Sequence, residues 1–309
     1  MKKPIAYLLG LLLAAAALLY LSPAALFTSV QWFERQRADL SAKQITVGDL
    51  SIHYYEGGPR AAQSIVMLHG FAANKDNWLR FARHLTSDYH VLALDLPGFG
   101  ASDKPAGSYD VGTQAERLAG ILKALGIGKA HLIGNSMGGH ISALYAARYP
   151  EQVLSVALFN NAGIDSPEPS ELRQIIQRGE ANPLVVRSRE DFERLLQFVF
   201  VEAPTLPDSL KDYFAAQATA NSVHYDRVFN HLIERYIPLE PELGKIQAPT
   251  LLLWGEQDRV LHVSSIEVMQ PLLRQPSVVV MANTGHAPMI ERPQQSAEHY
   301  RGFLKAHHD

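Results

Sequence analysis

Gly134-Asn135-Ser136-Met137-Gly138 is the stretch of this chain whose residue types and spacing are best suited to chemistry. It follows a strand-like run and opens a helix-like segment through His140, Ala143 and Ala147 to Tyr149. Glycine at both ends of the pentapeptide permits a cramped strand-to-helix turn that lifts the Ser136 hydroxyl above a sheet, while the helix N-terminus lends positive potential to an oxyanion. A serine hydroxyl is a weak nucleophile and needs a base kept in the right tautomer by an acid. Both follow strand-like runs: Asp258 in Gly255-Glu256-Gln257-Asp258, just past Trp254, and His286 in Asn283-Thr284-Gly285-His286, just past the last run. Serine, aspartate, histidine is the chain order expected when the nucleophile sits on such a turn.

Two backbone N–H groups must also face the developing oxyanion. Met137, directly after the serine, supplies one. The other is expected from His69-Gly70-Phe71-Ala72, with Phe71 preferred and Ala72 the alternative. His69 lies before the glycine turn and reads as a structural loop histidine rather than the base. Asp95 in Asp95-Leu96-Pro97-Gly98 also follows a strand-like run, but the flanking proline and glycine mark a turn that its carboxylate stabilises.

Elements that could hold these groups are legible around them. Ile45 and Val47, then Gly48-Asp49, then Leu50, Ile52 and Tyr54 predict a hairpin. Continuous apolar runs at 65–68, 90–94, 131–133, 153–159, 250–254 and 278–281 alternate with amphipathic helix patterns, which predicts an α/β fold with a parallel sheet covered on both faces. The alternation stops between about 165 and 241, where helix patterns prevail and Ser188 and Asp191 stand at capping-box spacing before an apolar stretch. A helical insertion there would lie over the carboxyl ends of the strands as a cap. Phe192, Leu195, Leu196, Phe198, Val199, Phe200 and Val201 are candidates for lining an apolar tunnel under it, although each taken singly reads as packing of the cap's own core.

The amino terminus differs from the rest. After Lys2 and Lys3 no charged residue occurs until Glu34, and 5–21 is an unbroken apolar run. As helix it covers about 25 Å, and continued through Ala24, Ala25, Leu26 and Phe27 it crosses a hydrocarbon core of roughly 30 Å. One transmembrane helix is expected. Small residues at Ser22 and Ala24 allow the alternative of a cleaved signal peptide and secretion, against which the run exceeds the usual signal core of about 7–15 residues. Trp32 and Phe33 read as an interfacial aromatic pair leading into a polar-faced juxtamembrane helix with Glu34, Arg35 and Arg37. The preferred orientation keeps the amino terminus inside and the bulk of the chain outside, in the periplasm of a bacterial cell. Gly10, Ala14 and Ala17 put small residues on one helix face, which would let two such helices pair as a homodimer; alanine as plain apolar filler explains them equally. The resulting division is 1–43 membrane and juxtamembrane, 44–164 first part of the core, 165–241 cap and 242–309 second part of the core.

Composition removes several function classes. The 309 residues carry 28 Lys and Arg against 31 Asp and Glu, a net charge of −3, so no basic footprint for nucleic acid is present. Hydrophobic and charged fractions of 47% and 19% exclude disordered, collagen-like and heptad-repeat chains. Cysteine is absent, which removes disulfides, thiolate metal sites, a cysteine nucleophile and a lipoprotein anchor together. His307 and His308 beside Asp309 read as a solvated tail, and no metal site is expected.

From about residue 44 to the end the chain resembles the α/β-hydrolase superfamily, through His69-Gly70-Phe71, Asp95-Leu96-Pro97-Gly98-Phe99-Gly100, Gly134-Asn135-Ser136-Met137-Gly138-Gly139, Asp258 and His286. Within it, the stretch from His69 through Asn74-Lys75-Asp76-Asn77-Trp78, and Asn160-Asn161-Ala162-Gly163-Ile164-Asp165, are similar to the monoacylglycerol-lipase-like branch, which includes bacterial lipases and phospholipases with an N-terminal membrane helix. The resemblance implies a doubly wound, mostly parallel sheet with a helical cap and no cofactor. Glu256 competes with Asp258 for the acid, and the resemblance places the acid at Asp258. The activity implied is that of a membrane-anchored serine carboxylester hydrolase releasing fatty acids from glycerolipids, as a phospholipase A, a lysophospholipase or a monoacylglycerol lipase.

Three other readings stand beside it. Serine hydrolases that cleave carbon–carbon bonds, or small esters, also suit Gly134-Asn135-Ser136-Met137-Gly138-Gly139, but the carbon–carbon group usually carries further glycine and proline where this chain has Phe71-Ala72-Ala73-Asn74. Dehalogenases and epoxide hydrolases of this fold place an aspartate at the nucleophile, where this chain has Ser136. A non-catalytic membrane-tethered binding module would be signalled by loss of a triad member, and none is lost.

Overall fold

In the computed structural model, which describes residues 22–307, the chain enters through helix α1, Pro23–Arg37. Ser22 caps it, its Oγ accepting the Ala25 N–H at 3.3 Å, and Pro23 in the first turn has no N–H to leave unsatisfied. The run 5–21, its small-residue face with the homodimer expected of it, and His308 lie outside the described residues. Ala24 to Phe27, expected to continue an apolar span, form the first turns of a capped helix that packs on the protein. Among the described residues no helix is long and apolar enough to cross a membrane.

The hairpin around Gly48 is built of β1, Leu40–Val47, and β2, Leu50–Gly57, in antiparallel register. Leu40, Ser41, Ala42 and Lys43 therefore belong to the sheet and not to a juxtamembrane helix ending at 43. This edge strand is mostly exposed, so it lacks the apolar period that reveals a strand from sequence. Then follow β3 (Ser64–Leu68), α2 (Leu79–Ala82), β4 (His90–Leu94), α3 (Val111–Ala124), β5 (Ala130–Asn135), α4 (Met137–Arg148) and β6 (Val153–Phe159). After a helical stretch come β7 (Thr250–Gly255), α10 (Ser265–Met269), β8 (Pro276–Met281), α11 (Pro288–Glu291) and α12 (Pro293–Ala306).

The eight strands form one sheet in the order β1-β2-β4-β3-β5-β6-β7-β8, antiparallel from β1 to β4 and parallel from β4 onward. Alternate side chains serve two cores. Val66, Leu68, Leu92, Leu94, Leu132 and Leu252 pack with α3 and α4 on one face. Ile65, Met67, Val91, Ala93, Ile133 and Leu251 pack with Trp78, Phe81 and α12 on the other. Covering both faces is the reason the central strands read as continuous apolar runs rather than alternating ones.

Between β6 and β7 the chain runs through α5 (Glu171–Gln177), α6 (Arg189–Val199), α7 (Asp208–Ala220), α8 (Ser222–Glu234) and α9 (Glu240–Leu243), with no strand. Ser188 caps α6 by accepting the Asp191 N–H at 3.1 Å. Phe192, Leu195 and Leu196 of α6 meet Phe214, Ala215 and Ala218 of α7 in a small apolar cluster of their own. The two ends of the excursion meet where Leu239 N–H donates to Gly163 O at 2.9 Å.

Candidate active site

Register at the carboxyl ends of the parallel strands sets the site. Leu68 stands opposite Gly134, Asn135 opposite Phe159, and Phe159 opposite Leu253, so the loops that leave β3, β5, β6 and β7 emerge along one line. Ser136 occupies the turn from β5 into α4 at φ +56°, ψ −118°, a conformation that costs a non-glycine residue about 1–3 kcal/mol. Three bonds hold it there: Ser136 N–H to Phe159 O at 3.0 Å, and Ser136 O accepting from His140 at 3.0 Å and Ala162 at 3.1 Å. A Cβ on Gly134 would lie 2.2 Å from Gly138 O, and one on Gly138 would lie 2.3 Å from Leu68 O. Both glycines are thus demanded by close approach of backbone. The Ser136 side chain makes no capping bond to its own helix, and the residue opens onto the large cavity described below.

His286 and Asp258 are brought together. His286 Nδ1–H donates to Asp258 Oδ2 at 2.8 Å, and the Asp258 side chain is wholly buried. Asp258 Oδ1 accepts the N–H groups of Val260 at 2.8 Å and Leu261 at 3.1 Å, while Oδ2 also accepts Asn160 Nδ2 at 2.7 Å. It is Asp258, not Glu256, that meets the histidine. Backbone bonds fix the histidine loop: His286 N–H to Val199 O at 2.8 Å, and Asn135 Nδ2 to His286 O at 2.9 Å. Asn135 and Asn160 fall inside motifs quoted from the sequence, but neither is assigned a role there. Their position at or next to the carboxyl end of a strand that borders the nucleophile turn is the signal that could have found them.

The 69–72 loop lies directly against the serine, since a Cβ on Gly70 would stand 3.2 Å from Ser136 Cβ. Among the described residues the N–H groups of Phe71, Ala72 and Met137 donate to nothing. His69 is buried, donates from Nδ1 to Gly70 O at 2.7 Å and accepts the Leu96 N–H at Nε2 at 3.1 Å. Burial holds its pKa below the ordinary imidazole value, and both nitrogens are engaged by backbone. Asp95 accepts Lys75 N–H at 2.8 Å, Lys75 Nζ at 2.6 Å and Ala101 N–H at 2.9 Å, so it ties the turn after β4 to the loop after β3.

Ser136 and His286 share one cavity of about 700 Å³. Its lining combines polar residues, among them Asn74, Lys75, Asp76 and Arg80, with apolar ones, among them Leu184, Val186, Leu206 and Phe214. Of the tunnel candidates, Phe192, Leu195, Leu196, Val199 and Phe200 line it. Phe198 instead lies under the Arg259 guanidinium, 4.9 Å from its ring centroid, and Val201 is 41% exposed. Helix α1 also forms a wall, which no sequence pattern announces. Phe27 packs against Tyr213 and Phe214 with ring centroids 5.6 and 5.1 Å apart, Gln31 Nε2 donates to Asp76 Oδ2 at 2.8 Å, and all of them face the cavity.

A family model described as the alpha/beta hydrolase fold matches residues 63–293. The chain belongs to the α/β-hydrolase family. Among its curated relatives in that family, Lipase 1 of Psychrobacter immobilis is 35% identical, over 88% of this chain and 86% of its own. Monoacylglycerol lipase abhd6-B of Xenopus laevis is 31% identical over 96% and 91%. Of solved α/β-hydrolase structures, one described as a membrane phospholipase A and bacterial virulence factor superposes with a TM-score of 0.92 at 58% identity, covering 99% of both chains. The meta-cleavage product hydrolase of Pseudomonas fluorescens matches at 23% identity with a TM-score of 0.76, which speaks for the fold alone. In this α/β hydrolase Ser136 on its strained turn, His286 bonded to a buried carboxylate, and Phe71 and Ala72 with their unpaired backbone donors line one cavity, an arrangement suited to acyl transfer through a covalent serine ester.

Proposed function

We propose that this α/β hydrolase is a lipid carboxylester hydrolase in which Ser136 is the nucleophile, His286 the general base and acid, and Asp258 the residue that holds His286 in its Nδ1–H tautomer. Ser136 Oγ attacks the acyl carbonyl and its proton passes to His286 Nε2. The oxyanion is held by the N–H groups of Met137 and Phe71, the alcohol leaves with the proton from His286, and water releases the fatty acid by the same route. The observation that carries this reading is the shared cavity: the strained serine and the Asp258-bonded histidine open onto a space also lined by Phe27, Leu184, Phe192, Leu195, Leu196 and Phe214. The lipases and the phospholipase A to which the chain is similar support a glycerolipid as substrate.

Residues 165–241 act in this reading as a cap over the site, with residues 44–164 and 242–309 as the core. The amino terminus anchors the enzyme in the membrane. Trp32 and Phe33, 55% and 53% exposed on α1 beside Arg35 and Arg37, supply an interfacial face next to the cavity wall. Cleavage at Ala24 would cut into the first turn of α1 and loosen Phe27, which favours a retained anchor over secretion. The catalytic domain is assigned to the periplasmic side of a bacterial inner membrane on the charge pattern of residues 1–43.

Fatty-acid release by the detergent-solubilised full chain from diacyl phospholipids, lysophospholipids, monoacylglycerols and triacylglycerols, with Ser136→Ala alongside, tests the proposal. Release from at least one lipid class, lost in Ser136→Ala while the melting temperature is retained, is expected. Release equal in the two proteins would overturn the mechanism, and release from no lipid would overturn the substrate class.

A further inference from the structure

The loop that carries His286 is joined to the end of α6 by a carboxylate that plays no part in the chemistry above. Glu291 ends α11, whose Pro288 and Met289 are buried in the core. One oxygen, Oε2, accepts the N–H of Gly285, the residue before the histidine, at 2.8 Å. The other, Oε1, accepts the N–H groups of Val201 at 3.1 Å and Glu202 at 2.7 Å, in the segment leaving α6. A second stitch runs beside it, His286 N–H to Val199 O at 2.8 Å. The two segments are so close that a Cβ on Gly285 would lie 2.4 Å from Val199 O. Outside the bracket Arg292 pairs with Glu202 at 3.0 Å and donates to Asn283 O at 3.3 Å.

The segment so bracketed is also wall: Leu195, Leu196, Val199 and Phe200 face the cavity into which His286 opens. We propose that Glu291 is a positioning residue that couples the α6 wall to His286, so that an acyl chain lying on α6 improves presentation of the imidazole to Ser136. The inference rests on the lipid-hydrolase reading above. A carboxylate is required because both arms need an acceptor; an amide in its place satisfies one arm and turns its own N–H₂ toward a donor on the other. Chain occupancy and histidine orientation are then two readings of one rigid bracket.

Kinetics of the detergent-solubilised full chain on p-nitrophenyl acetate and p-nitrophenyl octanoate, wild type against Glu291→Gln, tests this. In the wild type kcat is expected to rise with chain length. In Glu291→Gln both esters slow, and the octanoate-to-acetate ratio of kcat falls about tenfold while KM for octanoate moves less than about twofold. A merely structural carboxylate would lower both esters by the same factor, leaving the ratio intact, and that result overturns the coupling. Should Glu291→Gln not fold, Arg292→Gln, which opens only the outer clamp at a partly exposed side chain, is expected to lower the same ratio by about threefold; an unchanged ratio there overturns the proposal equally. If wild type and Ser136→Ala turn over neither ester, the hydrolase reading fails and takes the coupling with it. Wild-type turnover lost in Ser136→Ala, with an unchanged ratio in Glu291→Gln, removes the coupling alone.

Discussion

Ser136 sits in a backbone conformation that side chains rarely adopt, and its neighbours rather than its own preference keep it there. Gly138 was legible in the sequence as a glycine of the turn, but its purpose, letting Leu68 O pass at 2.3 Å from where a Cβ would be, belongs to the packing of β3 against α4. Gly138→Ala is expected to lower the melting temperature and cut kcat together, because the turn must move to admit the methyl; thermal melts and ester turnover check both. The acid is the other residue whose chemistry is sharply defined. Asp258→Asn would turn an amide N–H₂ either toward His286 Nδ1, favouring the wrong tautomer, or toward the Val260 and Leu261 N–H groups, so kcat should fall by about 10³–10⁴-fold and the melting temperature should drop as well. A loss under about tenfold would argue that the Asp258–His286 bond does not set the tautomer.

At the scale of elements, α1 is a wall as well as a leader. Its Phe27 rests on α7, its Gln31 holds Asp76, and Glu34 pairs with Arg80 at 3.1 Å, so the helix spans from the helical excursion to the core along one side of the cavity. Phe27→Ala should cost about 0.5–1.5 kcal/mol for each aromatic pair lost and raise KM for long acyl esters more than for short ones. A melt together with a chain-length series of KM values measures both. The return of the excursion is pinned on the other side by His140 of α4, whose Nε2–H donates to Ile237 O at 2.8 Å. These contacts join segments far apart in the chain, and no local pattern in α1 or α4 announces them.

Across the whole molecule, acid should loosen the fold in two windows. Burial pushes the His140 pKa down to about 4 from an ordinary 6.5. The unfolded chain therefore takes up that proton first, and the stability due to neutral His140, full above pH 6.5, is lost as pH falls through about 4. Glu56 comes next. Burial alone would raise its pKa, but hydrogen bonds from Lys43 and His90 outweigh it, and with the Arg60 charge they hold the carboxyl at about 2 against an ordinary 4.5. Its contribution is full above pH 4.5 and lost as pH falls through about 2, which ties acid tolerance to the cluster joining β1, β2 and β4. Melting temperatures of wild type, His140→Gln and Glu56→Gln across pH 7 to 2 check this: each variant should flatten the curve in its own window, and a His140→Gln curve parallel to wild type between 6.5 and 4 would refute the first assignment.

The order of elements, the class of sheet and a candidate set of site residues are all readable along the chain. Apolar runs buried on two faces, the glycine turn at Ser136, and aspartate and histidine after later strands are local patterns, written within a few residues by sterics and hydrophobic period. Packing in three dimensions adds the Asp258–His286 contact that the resemblance implied, and with it what no stretch of chain displays: Asn160 and Asn135 bracing the acid and the histidine loop, α1 walling the cavity, and Glu291 joining α6 to the histidine. Those facts depend on which strand ends adjoin and on contacts that cross 28 residues of chain from Asp258 to His286 and 151 from Asn135 to His286. Such contacts are set by the global minimum of packing and hydrogen bonding, and no stretch of sequence carries them alone.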